Sequence, residues 1–262
     1  MALTKDEIND LKYAKNLLEN PSLAARISNL LGTPIEKGFA HLPVTWKQVV
    51  QRATEKSLEK ALNFAIRTMN DRTRPASSDK THKILALATG AGGGTFGLPA
   101  LTIELPVTTS IMLRSIADIA RSEGEPINSL ETKIACLEVF ALGGRSQRDD
   151  GAETGYFVVR AALARTISEA TNYIAELGLA GKGAPALVKL IASLASRFGI
   201  IVSEKAAAQA IPLIGAAGGA LINTIFIDHF QNMARGHFII RRLERIHDKD
   251  LIRQEYDKLD LG

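Results

Sequence analysis

The stretch GAGGGTFGLPALTIELPVTTSIMLRSIADIAR, residues 90–121, decides how this chain folds. It is rich in glycine, nearly uncharged in its first half, and holds one carboxylate, Glu104, between Pro99 and Pro106. From residue 99 to 122 the pattern is helical. Pro99 sits near the start, where its missing N–H costs nothing, and Pro106 kinks or restarts the helix. A carboxylate among apolar neighbours is costly unless partnered. Glu104 therefore marks either a functional centre or a point of helix packing.

Helical spacing lines up Glu104, Thr108, Ile111, Ser115 and Asp118 along one side, with Thr109 and Arg114 adjacent and Arg114 four residues before Asp118. A desolvated glutamate beside threonine hydroxyls has the chemistry of a general base or a ligand contact. The same residues also suit a hydrogen-bond network that pins neighbouring helices. Asn223, Asp228, Asn232 and Arg235 interrupt the apolar last helix, and Asn223 or Arg235 is the expected partner of Glu104. The candidate ligand or polar-network set is thus Glu104, Thr108, Thr109, Arg114, Asp118, Asn223, Asp228 and Arg235, with no residue assigned as catalytic.

Outward from this run, helical signals dominate. Thr4 and Glu7 form a capping box before an amphipathic stretch to about residue 19. Pro21 opens a short helix through Leu31, and residues 32–43 read as a loop. Thr45 and Gln48 form a second capping box. The long helix after it carries Trp46, Val50, Ala53, Ala61 and Ala65 on its apolar face and ends near Asn70. Helices follow at 81–94, from Asn128 to the Gly143-Gly144 stop, at about 152–178, 185–199 and 203–210, then from the IPLIGAAGGALIN segment to about His247, with a short amphipathic tail. No stretch alternates with period two between hairpin turns. The expected class is all-α, a multi-helix bundle with long Gly/Ala-rich buried helices. The polar stretch at 71–79 is the best internal boundary.

Composition agrees. Of 262 residues, 46% are hydrophobic, 23% charged and only 5% aromatic, which suits close helix packing better than a β-sandwich. The net charge of +4 is mild. Its excess lies in residues 1–83, with 14 Lys/Arg against 9 Asp/Glu. That modest excess reads as a solvated surface, or as a weak preference for an anionic membrane surface, rather than as nucleic-acid binding, for which no recognition motif appears. The single cysteine, Cys136, excludes an intrachain disulfide. The first 20 residues lack the apolar core of a signal peptide. The expected place is the cytoplasm, including the periphery of the inner face of the cell membrane.

Two uncharged runs, Ile84–Ile103 and Ala206–Ile227, are long enough to cross a bilayer, and Gly90/Gly94, Gly93/Gly97 and Gly215/Gly219 have the spacing of close helix pairs. Their alanine and glycine content favours buried helices in a soluble core, with a peripheral or partly inserted state as the alternative. Gly92, Gly94 and Gly97 match G-x-G-x-x-G literally, but a helical pattern precedes them and no Walker lysine follows. Asp149, Asp150 and Glu153 read as an acidic helix cap rather than a calcium loop. His237 and His247 read as part of a basic surface with Arg235, Arg241, Arg242 and Arg245, solvated or touching lipid headgroups, rather than as a zinc site. No H-E-x-x-H pair or G-x-S-x-G elbow is present. Neither metal nor cofactor is expected.

GLPALTIELPVTTSIMLRSIADIARSEGE, followed by LEVFALGG and by IPLIGAAGGALINTIFIDHFQNMARGHFIIRRLER, resembles the bacterial EcsC family over roughly residues 45–247. The resemblance divides the chain into an N-terminal extension, residues 1–40, and an EcsC-like domain, residues 41–262. It implies a helical accessory protein, since the family's founding member is encoded beside the ATPase and membrane subunits of an ABC transporter. The implied partner is membrane lipid or a membrane protein. It carries no catalytic residues over and leaves the oligomeric state open. The alternative is a small-molecule- or lipid-acting hydrolase-type enzyme centred on Glu104.

Overall fold

In the computed structural model of the chain, residues 3–19, 23–32, 34–69, 98–142, 155–179, 184–211 and 215–260 are described. Among them every regular element is helical: α1 (Lys5–Glu19), α2 (Leu23–Leu31), α3 (Glu36–Phe39), α4 (Trp46–Thr68), α5 (Leu98–Ser122), α6 (Leu130–Glu138) with a 3-10 turn (Val139–Ala141), α7 (Tyr156–Leu177), α8 (Pro185–Ala210), α9 (Gly215–Ile246) and α10 (Lys249–Lys258). The all-α bundle is as expected. The 71–79 boundary, the helix at 81–94, the G-x-G-x-x-G glycines and the 145–153 loop lie outside the described residues.

The helix starts follow local chemistry. The Thr4 backbone N–H and hydroxyl donate to the Glu7 carboxylate, and the Glu7 N–H returns a bond to Thr4 Oγ1 at 3.3 Å. Ser129 caps α6 by accepting from the Thr132 N–H. At α4 the Thr45 side chain makes no capping bond, so the second expected capping box is not formed. Residues 32–43 are not wholly loop, because they contain α3. The two helices expected at 185–199 and 203–210 are one. Gly199 and the β-branched run Ile200-Ile201-Val202 weaken helix propensity, but Phe198, Ile201 and Val202 are buried, and packing overrides propensity.

Three polar rungs set the direction of α5 against α9. Glu104 and Asn223 meet through a shared cation, Ser115 meets Gln231, and Glu125, three residues past the end of α5, meets Arg241. The residue numbers rise together, so the two helices run parallel. α8 runs antiparallel to α9, since Phe198 packs on Phe230 while Lys205 lies over the Phe226 ring. Phe140, Phe198, Phe226 and Phe230 form a ring cluster at centroid distances of 5.1–6.2 Å. Such contacts add about 0.5–1.5 kcal/mol per pair beyond area burial.

Two glycines allow close crossings. A Cβ on Gly38 would stand 2.0 Å from the Ala207 carbonyl oxygen, so α3 touches α8 backbone to backbone. A Cβ on Gly236 would stand 2.6 Å from Leu18 Cγ, which is how α1 seats on α9. The Lys15 ammonium then donates to the carbonyls of Tyr256 and Leu259, at 2.9 and 2.8 Å, fastening α1 to the C-terminal end of α10.

Candidate functional site

Glu104 lies one and a half turns into α5, 7% exposed. Its Oε1 accepts a hydrogen bond from Lys205 Nζ at 2.7 Å. The same ammonium donates to Asn223 Oδ1 at 2.9 Å and stands 4.7 Å from the centre of the Phe226 ring. Lys205 is completely enclosed. Its burial pushes its pKa down from the ordinary lysine value, against the pull of the Glu104 carboxylate. One side chain from each of α5, α8 and α9 meets here. The ion pair is mutually neutralised, and each added hydrogen bond offsets part of the desolvation of its members.

The expected partner was Asn223 or Arg235. Asn223 is present, reached through Lys205. Arg235 stands twelve residues further along α9, roughly 18 Å away. Lys205 itself was missed. Its signal was a solitary lysine at the edge of the 22-residue uncharged run 206–227, masked by its neighbour Glu204, which makes the two read as a surface pair. The Glu204 carboxyl points elsewhere. It accepts from the Ala24 N–H at the start of α2, and burial raises it to about 7.

Thr108 and Thr109 are buried in the turn after Glu104, and neither Oγ1 has a hydrogen-bond partner among the described residues. Arg114 does not join this group. It points outward and lies over the Phe64 ring at 4.8 Å. Asp118, at the far end of the expected line, accepts from Arg121 Nη1 at 2.7 Å. Asp228 is partly buried on α9, five residues past Asn223. The eight candidates therefore divide: Glu104 and Asn223 share one ammonium, Thr108 and Thr109 border on Glu104 along α5, and the other four lie along the helices beyond it.

A second buried node was also missed. The Tyr156 hydroxyl and His237 Nδ1 are 2.9 Å apart, and His237 Nε2 stands 3.9 Å from Glu138 Oε2. Burial raises Glu138 to about 7 and holds His237 well below the usual imidazole range, helped by Arg160 and Arg241. Arg160 grips Glu244 with two bonds at 2.7 and 3.0 Å.

The expected basic surface around His237 and His247 is corrected. His237 is fully buried, and His247 Nε2 lies 2.8 Å from Glu7 Oε1. Arg241 and Arg245 both donate to Glu125, and Arg242 bridges Glu123 and Asp10 at 2.8 Å each. Burial alone would raise Glu125, but Arg241, Arg245 and the Thr132 hydroxyl hold it below the usual carboxylate value. These arginines are internal cross-links because the carboxylates that meet them come from α1 and the α5–α6 connection. Cys136 is enclosed and its thiol pushed up by burial, an inert core residue.

Among the described residues no cluster of three His, Cys, Asp or Glu could hold a metal ion. One described helix, α8, is long and apolar enough to cross a membrane, with mean hydropathy 1.7 and a third of that window buried. The run Ala206–Ile227 is not one span, since α8 ends at Ala210 and α9 begins at Gly215. Of Ile84–Ile103, only residues 98–103 are described.

The sequence profile of the EcsC protein family matches residues 15–243. The match starts within α1, earlier than residue 45, the expected start of the region of resemblance. No curated protein and no solved structure matches the chain. With 229 of its residues, 15 to 243, aligned to one family profile, the chain belongs to the EcsC protein family.

Proposed function

We propose that this chain is a non-enzymatic accessory module that associates peripherally with the inner face of the cell membrane, binding lipid there or a membrane transporter partner. The observation that carries this reading is how charge is distributed along α5 and α9. The two helices start at the same end of the bundle. Over residues 98–113 and 215–227 the sole charged residue is Glu104, and it turns inward onto Lys205. The outward side chains there include Ile103, 75% exposed, with Val107 and Leu221. At the far end, Arg241, Arg242 and Arg245 are tied into carboxylates. An end with inward-facing charge and outward-facing aliphatics suits the boundary of a bilayer. The ion pair also occupies Glu104, which favours a structural role for it over that of a base.

Fractionation tests this. The protein is expected in the membrane fraction and released by high salt or carbonate, as a peripheral protein is. Recovery wholly in the soluble fraction overturns it.

The enzyme reading draws support from one feature, the unpartnered hydroxyls of Thr108 and Thr109 beside Glu104. It requires that Glu104→Gln abolish the cellular phenotype while the fold survives. A variant that keeps both removes it.

A further inference from the structure

The corner between α3 and α4 is a second exposed apolar feature, and the sequence around it is basic. Val44 is 100% exposed. Beside it, Phe39, Leu42 and Trp46 are only partly buried, and the Phe39 and Trp46 rings stand 5.4 Å apart. Lys47 lies 5.8 Å over the Trp46 ring. From Lys37 to Thr54 the chain carries Lys37, His41, Lys47 and Arg52 and no carboxylate; the exposed Glu36 and the half-buried Glu55, which accepts from Gln51, flank the run. Lys37, Lys47 and Arg52 are exposed.

This corner stands at the same end of the bundle as Ile103. Gly38 of α3 packs on Ala207, and Glu104 of α5 bonds Lys205, so both are held on the same turn near the end of α8. Two exposed apolar groups, one beside Lys37 and Lys47 and one on a helix segment whose sole charge turns inward, thus share an end.

We infer that the α3–α4 corner is the membrane anchor of this protein, with Val44 and the Trp46 ring entering the headgroup layer of an anionic bilayer and Lys37, Lys47 and Arg52 facing its phosphates. The inference rests on the peripheral reading above and adds to it the docking face, the lipid charge and the orientation of the bundle. The charge pattern selects the occupant: three exposed cations against one exposed acid, Glu36, complement an anionic surface, and a tryptophan with a neighbouring lysine is the pair that settles at a bilayer interface. An apolar protein groove would need no such run of cations.

Trp46 is the chain's single tryptophan, so it reports its own environment. The test uses full-length protein with vesicles of phosphatidylcholine and phosphatidylglycerol, and with phosphatidylcholine alone. Trp46 emission should shift to the blue with the anionic vesicles and be quenched by brominated acyl chains. Lys37→Ala combined with Lys47→Ala should weaken binding roughly thirty-fold at low salt. Val44→Glu, at a fully exposed site, should abolish the shift and leave the melting temperature unchanged. Co-sedimentation with unaltered Trp46 emission overturns the anchor and leaves membrane association standing. Absence of co-sedimentation overturns both. Equal binding to neutral vesicles, or capture of a membrane protein through Val44 without lipid, refutes the anionic-lipid assignment.

Discussion

Removing the ammonium from the Glu104–Lys205–Asn223 centre should be among the most damaging single changes in the core. In Lys205→Met the aliphatic stem is largely retained, so packing against Phe226 survives. What is lost is the 2.7 Å bond to Glu104 and the 2.9 Å bond to Asn223. Glu104 is left as a buried carboxylate without its counter-ion, and stranding one member of such a pair costs about 3–5 kcal/mol. For a chain of this size each kcal/mol is worth roughly 2–4 °C, so the melting temperature should fall by about 6–20 °C. The double variant Glu104→Leu with Lys205→Met removes both charges, and replacing a buried pair by apolar side chains is often neutral or stabilising. It should regain most of the loss. Thermal unfolding followed by far-UV circular dichroism, with urea titration for the free energies, completes the double-mutant cycle. A Lys205→Met protein that melts within about 1 °C of the parent would refute the reasoning. So would a double variant no better than the single.

Three further outcomes follow from other contacts. Gly38→Ala places a methyl group 2.0 Å from the Ala207 carbonyl and should cost roughly 2–3 kcal/mol, with a red shift of Trp46 emission as α3 moves off α8; unchanged emission and stability would contradict the backbone contact. Glu138 is held protonated up to about 7 in the fold but only to about 4.5 when unfolded, so its contribution is present below 4.5 and is lost as the pH rises through 7. Glu138→Gln should therefore gain on the parent between pH 5 and 8, by on the order of 3 kcal/mol in urea titrations, and parallel profiles would count against it. His229, lowered to about 4 by burial and by Arg26, works in the opposite sense, losing stability as the pH falls from 6.5 towards 4. His229→Gln should thus flatten the acid limb of the stability profile.

The helices were legible wherever one face was apolar over several turns, as in α4, α5 and α9. Glu104 was legible too, because an acid in an uncharged run has to be partnered. Its partner was not, for Lys205 follows Glu204, and spacing does not say that one of the pair turns inward while the other caps α2. The arginines of α9 misled for the same reason. Their partners, Asp10, Glu123 and Glu125, lie more than 100 residues away, so a row that looks like an open basic face in sequence is closed in space. Local pattern also failed at residues 199–202, where a glycine and three β-branched residues read as a break but packing carries α8 through.

Flotation with anionic vesicles asks whether the bundle docks on a lipid surface. Full-length protein mixed with phosphatidylcholine–phosphatidylglycerol vesicles at low salt should rise with the lipid in a density gradient, and should stay behind when the salt is raised to about 0.5 M, since that shortens the Debye length to a few ångströms. Protein that remains at the bottom of the low-salt gradient would contradict a peripheral membrane role.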